Sequence, residues 1–397
     1  MPPREFYFNA DFDPSLHGRP TLLETGDETY LHEMAWHFAF ACAEGDSLIV
    51  HKPWPGDFPE YLVGKGLHLP RTVVAPDFTP SAAFHPFGWN AHAESLAVRY
   101  SEARSRPALA AVKRVNSRAF ALELEREAAG SEDEVGALFA DPQSLAAFVA
   151  GHKRAPGWVA KGEHGHAGIA NRRVPSGALS AEDRTALMAL FADHGRVVLE
   201  PWHERLHNMA ALFTSTPAGA VEGFAGHALI NSRDGAFLGV QVAPNRQPPD
   251  PWLPALRAHA GRLAERLAAA GYWGPVGVDA YVWQSPAGPR LRPLVDINAR
   301  LSMAMPAHGL AARLPGRHVH WSWSKPRKLR LPSDYAALDT ALGSDAYEPR
   351  ARRGILAVSP VFLPEGRPKR IGFAMVGEDA ADLAGLRETF ANALGRN

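Results

Sequence analysis

The stretch "PLVDINARLSM", residues Pro293 to Met303, decides how this chain is read. Taken as a strand, it places Val295, Ile297 and Ala299 on one face and Asp296, Asn298 and Arg300 on the other. Three polar side chains in a row need a partner. The preceding segment "GPVGVDAYVW" is a second strand candidate, and "QSPAGPR" is the loop between the two. Symmetric pairing about Ala287 and Gly288 sets Asp279 opposite Asp296 with Cβ atoms roughly 5 Å apart, where like charges destabilise a ladder. A cation between them relieves that repulsion. Two carboxylates and the Asn298 amide oxygen form a partial all-oxygen sphere suited to a hard divalent ion, with room for water and phosphate oxygens. Mg²⁺ held with a nucleotide is the expected occupant, and Mn²⁺ is the alternative. In a plainer reading Asp279 faces solvent and Asp296 sits at an edge; the apolar neighbours Tyr281, Trp283 and Leu294 weigh against an ordinary polar face.

At 397 residues and 46% hydrophobic, the chain has the length for two or three domains with cores of their own. Lys plus Arg number 42, as do Asp plus Glu, so no basic field exists to hold a nucleic acid by counterion release. The single cysteine, Cys42, excludes an internal disulfide framework, and its surroundings read as an apolar helix. "MPPREFYFNA" lacks the succession of a signal peptide, and "MAWHFAFACA" is too short to cross a bilayer. The expectation is a soluble cytoplasmic protein with no membrane partner.

Strand-like and helix-like runs alternate at the start: "EFYFNA", "DETYLHEMAWHFAFACAEGD", "SLIVHKP", "FPEYLVGKGL", "TVVAPDF". This is the pattern of a doubly wound parallel sheet. No GxGxxG follows the first strand, so no phosphate cradle is legible there. From about Val112 the pattern changes. Asn116 or Ser117 opens a helix, Asp141 and Pro142 open another, and Ser180 with Asp183 forms a capping-box signature. "GWVAKGEHGHAGIANRRV" reads as two strands joined by a glycine-rich loop, and "GHALINSRDGAFLGVQV" as a hairpin turning at Asp234 and Gly235. The tail holds two more strand candidates, "RGILAVSPV" and "RIGFAMVG", and a last helix after Glu378.

From about Val112 to Leu314, with "GPVGVDAYVW" and "PLVDINARLSM" as the most specific part, the sequence resembles the ATP-grasp superfamily. The resemblance implies an α/β (α+β) fold: a pre-ATP-grasp domain over residues 1–111, a small subdomain over 112–198 with a flap, and a large subdomain over 199–397 with the metal site and a C-terminal extension. It implies that the two subdomains clamp ATP, that Asp279, Asp296 and Asn298 bind Mg²⁺, and that Arg300 lies near the γ-phosphate and an acyl phosphate. It also implies a basic residue near the module's first helix, here Arg118 with Lys113 nearby. Arginine keeps the charge while replacing a point with a planar fork.

Lys161 ends an apolar strand and precedes Gly162, Gly165 and Gly168, the wrong order for a P-loop but suited to a flap whose backbone N–H groups close over phosphates. A surface hairpin with a solvated lysine is the plain alternative. "VVLEPWHERLHN" reads as a buried strand running into the adenine hinge of the resemblance, with Glu200, the Pro201 carbonyl and the His203 N–H at the base and Glu204 or His207 at the ribose. His164 and His166 read as solvated loop histidines, and Arg350, Arg352 and Arg353 as a solvated charged face. The expected function is an ATP-dependent carboxylate-amine ligase (EC 6.3 type) acting through an acyl phosphate on small-molecule substrates, with a homodimer as the commonest assembly. A phosphotransferase acting on a hydroxyl, or a non-catalytic nucleotide-binding protein, are the alternatives.

Overall fold

Alternating strands and helices at the N-terminus build the parallel sheet that their pattern predicts. The structure is a computed structural model that describes residues 3–9, 11–18, 28–74, 83–98, 106–129, 135–164, 171–232, 237–244, 251–364 and 366–395. Strands β1 (Arg4–Tyr7), β2 (Ser47–Val50), β3 (Arg71–Val74) and β4 (Ala83–Pro86) lie in the order β3-β2-β1-β4, all parallel. All four residues of β2 are buried, as expected of a strand covered on both faces. The helix Glu28–His37 ends earlier than the sequence suggests, and Cys42 follows a 3₁₀ turn, Ala39–Ala41, while remaining buried. β4 is a strand the sequence pattern did not reveal.

A second, antiparallel sheet of β5 (Ala137–Phe139), β6 (Trp158–Gly162), β7 (Asn171–Val174) and β8 (Val197–Pro201) has the order β5-β8-β6-β7. Helices Pro142–Gly151 and Ala181–His194 cover it, burying Leu145, Val149, Leu187 and Phe191 against Trp158, Ala160 and Leu199. Both helix starts are as read: the Asp141 side chain accepts from Ser144 N, and Ser180 and Asp183 bond reciprocally.

The third sheet joins β9 (Arg205–Ser215), β10 (Val221–Asn231), β11 (Phe237–Val242), β12 (Gly274–Ser285), β13 (Gly288–Asn298), β14 (His318–Ser324), β15 (Gly354–Ala357) and β16 (Ile371–Gly377). Its order is β13-β12-β9-β10-β11-β14-β16-β15 and every pairing is antiparallel. Helix Leu253–Ala269 buries Leu256, Ala260, Leu263 and Leu267, a spacing of three and four that lines up one face. β14, "HVHWSWS", was not foreseen from sequence, and it is the strand that joins the tail to the sheet. The expected turn at Asp234 and Gly235 lies outside the described residues; the strands it would join do pair.

Asp279 faces Asp296 in the ladder, but not through the symmetric hairpin expected. The strands turn at Pro286 and Ala287, with Ser285 opposite Gly288 and Tyr281 opposite Arg292. A bulge between Asp279 and Tyr281 then inserts two extra residues into β13 around Pro293, which has no N–H to lose from the ladder. The bulge also breaks the alternation: Leu294 is buried in the core, while Val295 faces the cavity described next.

Candidate active site

One face of the third sheet is built in cross-strand rows. Leu212, Gly277 and Asn298 form one row; His227, Ala210, Asp279 and Asp296 form the next; Leu229, Asn208 and Tyr281 form a third. Small side chains at Ala210 and Gly277 leave the floor low between taller neighbours. Above it lies a cavity of about 590 Å³, closed by Val159, Lys161 and Asn171 of the second sheet, by Arg118, and by Phe8, Asp13 and Phe87 of the N-terminal part. Among the described residues, five cations (Arg118, Lys161, Arg205, Arg300, Arg370) and three carboxylates (Asp13, Asp279, Asp296) line it. That excess suits a polyanion.

The opposed acids behave as the register requires. Burial, and then the like charge of Asp296, push Asp279 up to about 6. Asp296 pairs with Arg118 Nη2 at 3.2 Å, and Arg118 also donates through Nη1 to the Gly162 carbonyl, so one guanidinium bridges the acid to the end of β6. Arg300 donates through Nε to Asp13 at 2.8 Å and through Nη2 to Asn298 Oδ1 at 2.8 Å. The predicted residues Asp279, Asp296, Asn298, Arg300, Arg118 and Lys161 thus converge on one cavity. Asp13, which no motif marks, orients Arg300. Gly165, Gly168 and His166 lie outside the described residues.

Lys161 is 4% exposed, and its Nζ donates to Glu200 Oε2 at 2.9 Å. Glu200 also pairs with Arg292 at 3.0 Å, and Arg292 donates to Glu125 at 2.6 Å and to the Tyr281 hydroxyl at 3.1 Å. Burial alone would raise the Glu200 carboxyl, but Lys161 and Arg292 outweigh it and hold it at about 2, below the ordinary 4.5. Burial lowers Lys161, against the pull of Glu200. A depressed acid contributes stability that is present above its unfolded value and lost as pH falls through the folded one. Wild type should therefore lose stability relative to a Glu200→Gln variant as pH falls from 4.5 toward about 2, read from denaturant midpoints. Parallel profiles across that window would refute the pairing.

The segment after β8 places its residues differently from the sequence expectation. Trp202, Arg205 and Asn208 line the cavity, whereas Glu200, Pro201, His203 and His207 do not. The Glu200 carboxylate is taken up by Lys161 and Arg292. The His203 ring stacks on Trp283 at 3.8 Å; Arg154 donates to its Nε2, which puts the ring proton on Nδ1, facing the Tyr281 hydroxyl at 2.8 Å. Strand alternation explains His207: Asn208, Ala210 and Leu212 face the cavity, so His207 is exposed on the opposite side. Trp202 is backed by Arg173, 3.8 Å over its ring.

Glu125 and Arg292 were missed from sequence. The signal available was an acid on the apolar face of Arg118–Ala129, in step with Ala121 and Leu124. His227 lines the cavity 3.1 Å from His308. His164 is grouped with the rings of His17 and His194, yet no group of three or more His, Cys, Asp or Glu among the described residues could hold a metal. Arg353 pairs with Asp345 and Asp382, away from the cavity, in keeping with its structural reading. No helix among the described residues is long and apolar enough to cross a membrane.

No protein-family model and no curated protein matches the sequence. Solved structures do. The N5-carboxyaminoimidazole ribonucleotide synthetase of Thermus thermophilus superposes with a TM-score of 0.53 at 12% identity, covering 99% of each chain. The Staphylococcus aureus N5-carboxyaminoimidazole synthetase complexed with ADP gives 0.52 at 12%, covering 98% of this chain and 97% of its own. A biotin carboxylase from Campylobacter jejuni, in a β-γ-ATP complex, gives 0.52 at 11%, covering 99% and 92%. The chain shares the fold of these proteins over nearly its whole length.

Proposed function

We propose that this chain is an ATP-dependent carboxylate-amine ligase acting through an acyl phosphate and working in the cytoplasm. In this reading residues 1–111 precede a nucleotide clamp made of 112–198 and 199–397. The observation that carries it is the Asp279 and Asp296 pair, opposed in one ladder and facing a cavity where Arg118, Lys161 and Arg300 meet. The donor set fits a hard divalent ion, since a cation relieves the repulsion that raises Asp279, and Asn298 adds an amide oxygen. Asp279, Asp296 and Asn298 would hold Mg²⁺, which shields phosphate charge and polarises the phosphoryl group being transferred. The free, buried Cys42 accords with a reducing compartment.

The residues divide the work by position. Val159, Trp202 and Tyr281 offer apolar surface to a base, with Asn208 and Arg205 as polar contacts at its edge or ribose. Lys161 and Arg118 donate to phosphate oxygens from the flap side. The γ-phosphoryl group passes to a substrate carboxylate, an amine attacks the carbonyl carbon, and phosphate leaves as the amide forms. Arg300, oriented by Asp13, stabilises the charge gathered on the phosphoryl oxygens and on the tetrahedral intermediate. The enclosing walls keep water from the activated acid.

The test is ADP release with Mg²⁺, ATP and pooled carboxylates and amines, with mass spectrometry of the products. A condensation product matching ADP supports the ligase; a phosphoester supports the hydroxyl phosphotransferase; nucleotide bound without turnover in any pool supports the non-catalytic protein. Lys161→Met should cut turnover or raise the KM for ATP by about 10²-fold, the scale of losing one preorganised donor. An unchanged rate and KM would move the phosphate site elsewhere.

A further inference from the structure

Part of the cavity's lining, contributed by β10, β11, β14 and the N-terminal part, is not used by the nucleotide reading. Its walls are Phe8, Phe87, Met34, Leu229, Phe237 and Trp323, with Asn231, which pairs with Phe237 across β10 and β11, as a polar member. Phe8 and Phe87 lie 4.5 Å apart, and Phe237 and Trp323 5.3 Å apart, so aromatic rings face this space from both the N-terminal sheet and the third sheet. At its far side stands Arg370, one residue before β16 and beside the end of β14, where Ser324 pairs with Ile371.

Arg370 differs from every other cation of the cavity. Arg118 is engaged by Asp296 and Gly162, Lys161 by Glu200, Arg205 by Asn208 and Arg300 by Asp13 and Asn298. Arg370 is half-buried beside His37, and its guanidinium has no hydrogen-bond or ion-pair partner among the described residues. A guanidinium set among apolar walls gains most from an anion that presents two oxygens side by side.

We propose that this part of the cavity binds the amine substrate, one bearing a carboxylate on an apolar, aromatic-sized body, with the carboxylate paired to Arg370, the body against Phe237 and Trp323, and the amino group left to meet the acyl phosphate formed at Arg300. The proposal rests on the ligase reading for the reaction it serves, but not for the binding itself. A phosphorylated sugar, such as the ribonucleotide held by the Aspergillus clavatus synthase, is the wrong class. Its several hydroxyls would find Asn231 and few other polar partners on these walls, and its dianion would meet a single cation that is uncommitted among the described residues. A single carboxylate on a ring leaves only the reacting amine as a further polar group.

The experiment is calorimetry on the full chain with Mg²⁺ and a non-hydrolysable ATP analogue, titrated with 3-phenylpropanoate, L-phenylalanine, phenyl phosphate and ribose 5-phosphate. The expected result is that at least one aromatic carboxylate binds, more tightly than phenyl phosphate, and that ribose 5-phosphate does not. Arg370→Ala should weaken that binding by about tenfold or more, the scale of a charge-assisted hydrogen bond, and Arg370→Lys should restore part of it. Continued binding of the ATP analogue by both variants shows that the fold is intact. Tighter binding of either phosphate, no binding of either aromatic carboxylate, or an affinity unmoved by Arg370→Ala overturns the proposal. ADP release driven by a phosphorylated sugar sinks this substrate class and leaves the ligase standing. Arg370-dependent binding of an aromatic acid with no ADP release under any acceptor does the reverse.

Discussion

Asp296→Asn should lower Mg²⁺-dependent ADP release by about two to three orders of magnitude, the rate equivalent of the several kcal/mol that a bound metal contributes to transition-state charge. The substitution keeps the shape of the side chain and one oxygen, so the strand and its bulge should form as before. What it removes is charge. Arg118 loses the carboxylate that it meets at 3.2 Å, and Asp279 loses the neighbour whose charge helps push it up to about 6. Of the cavity's carboxylates Asp13, committed to Arg300, and Asp279 would remain, and a divalent ion would keep a single carboxylate of the opposed pair to bind. Steady-state ADP release measures the loss, and far-ultraviolet circular dichroism with a thermal melt confirms folding. Full activity in the variant would place the metal, and with it the phosphoryl transfer, somewhere other than this ladder.

The second large effect is on stability. Arg292→Met should destabilise the chain by about 3–5 kcal/mol, the usual consequence of removing one partner from a buried ionic cluster. Glu125 and Glu200 both depend on this guanidinium, and both are buried. Without it two carboxylates are left inside with only Lys161 to answer them, and the lysine is held near the cavity by Glu200. Denaturant unfolding measures the change. The double variant Arg292→Met, Glu125→Leu should recover part of it, because an apolar replacement of both partners removes the stranded charge. A loss below about 1 kcal/mol, the range of a solvated pair, would mean that water reaches the cluster. A loss of ATP affinity alongside that of stability would tie the cluster to the placing of Lys161.

The elements with strong local signals were legible. The caps at Asp141 and Ser180, the parallel strands of the N-terminal part and the helix Leu253–Ala269 follow from side-chain chemistry within a few residues. β14 was not, because "HVHWSWS" mixes His, Trp and Ser, and its strand character comes from pairing with β11 and β16, each distant in sequence. The opposition of Asp279 and Asp296 was found through a symmetric turn that does not exist; the bulge at Pro293 restores the register that the true turn would have shifted. Pro293 in the middle of a strand was the available signal.

By itself the sequence determined which side chains the candidate site has to offer: an acid in each of two neighbouring strands, an amide and a guanidinium two and four residues past the second acid, and a lysine before glycines. Those groups lie within single strands or adjoining ones, where the two-residue period fixes which side chains share a face. Only the tertiary structure decided which of them are committed and to what. Glu200 was drawn to Lys161 and Arg292, Asp13 was brought to Arg300 from the other end of the chain, and Arg370 was left without an anion among the described residues. The reason is that an ion pair depends on distances in space between groups far apart in sequence, and burial makes the choice of partner sharp, since a charge removed from water must be matched where it stands.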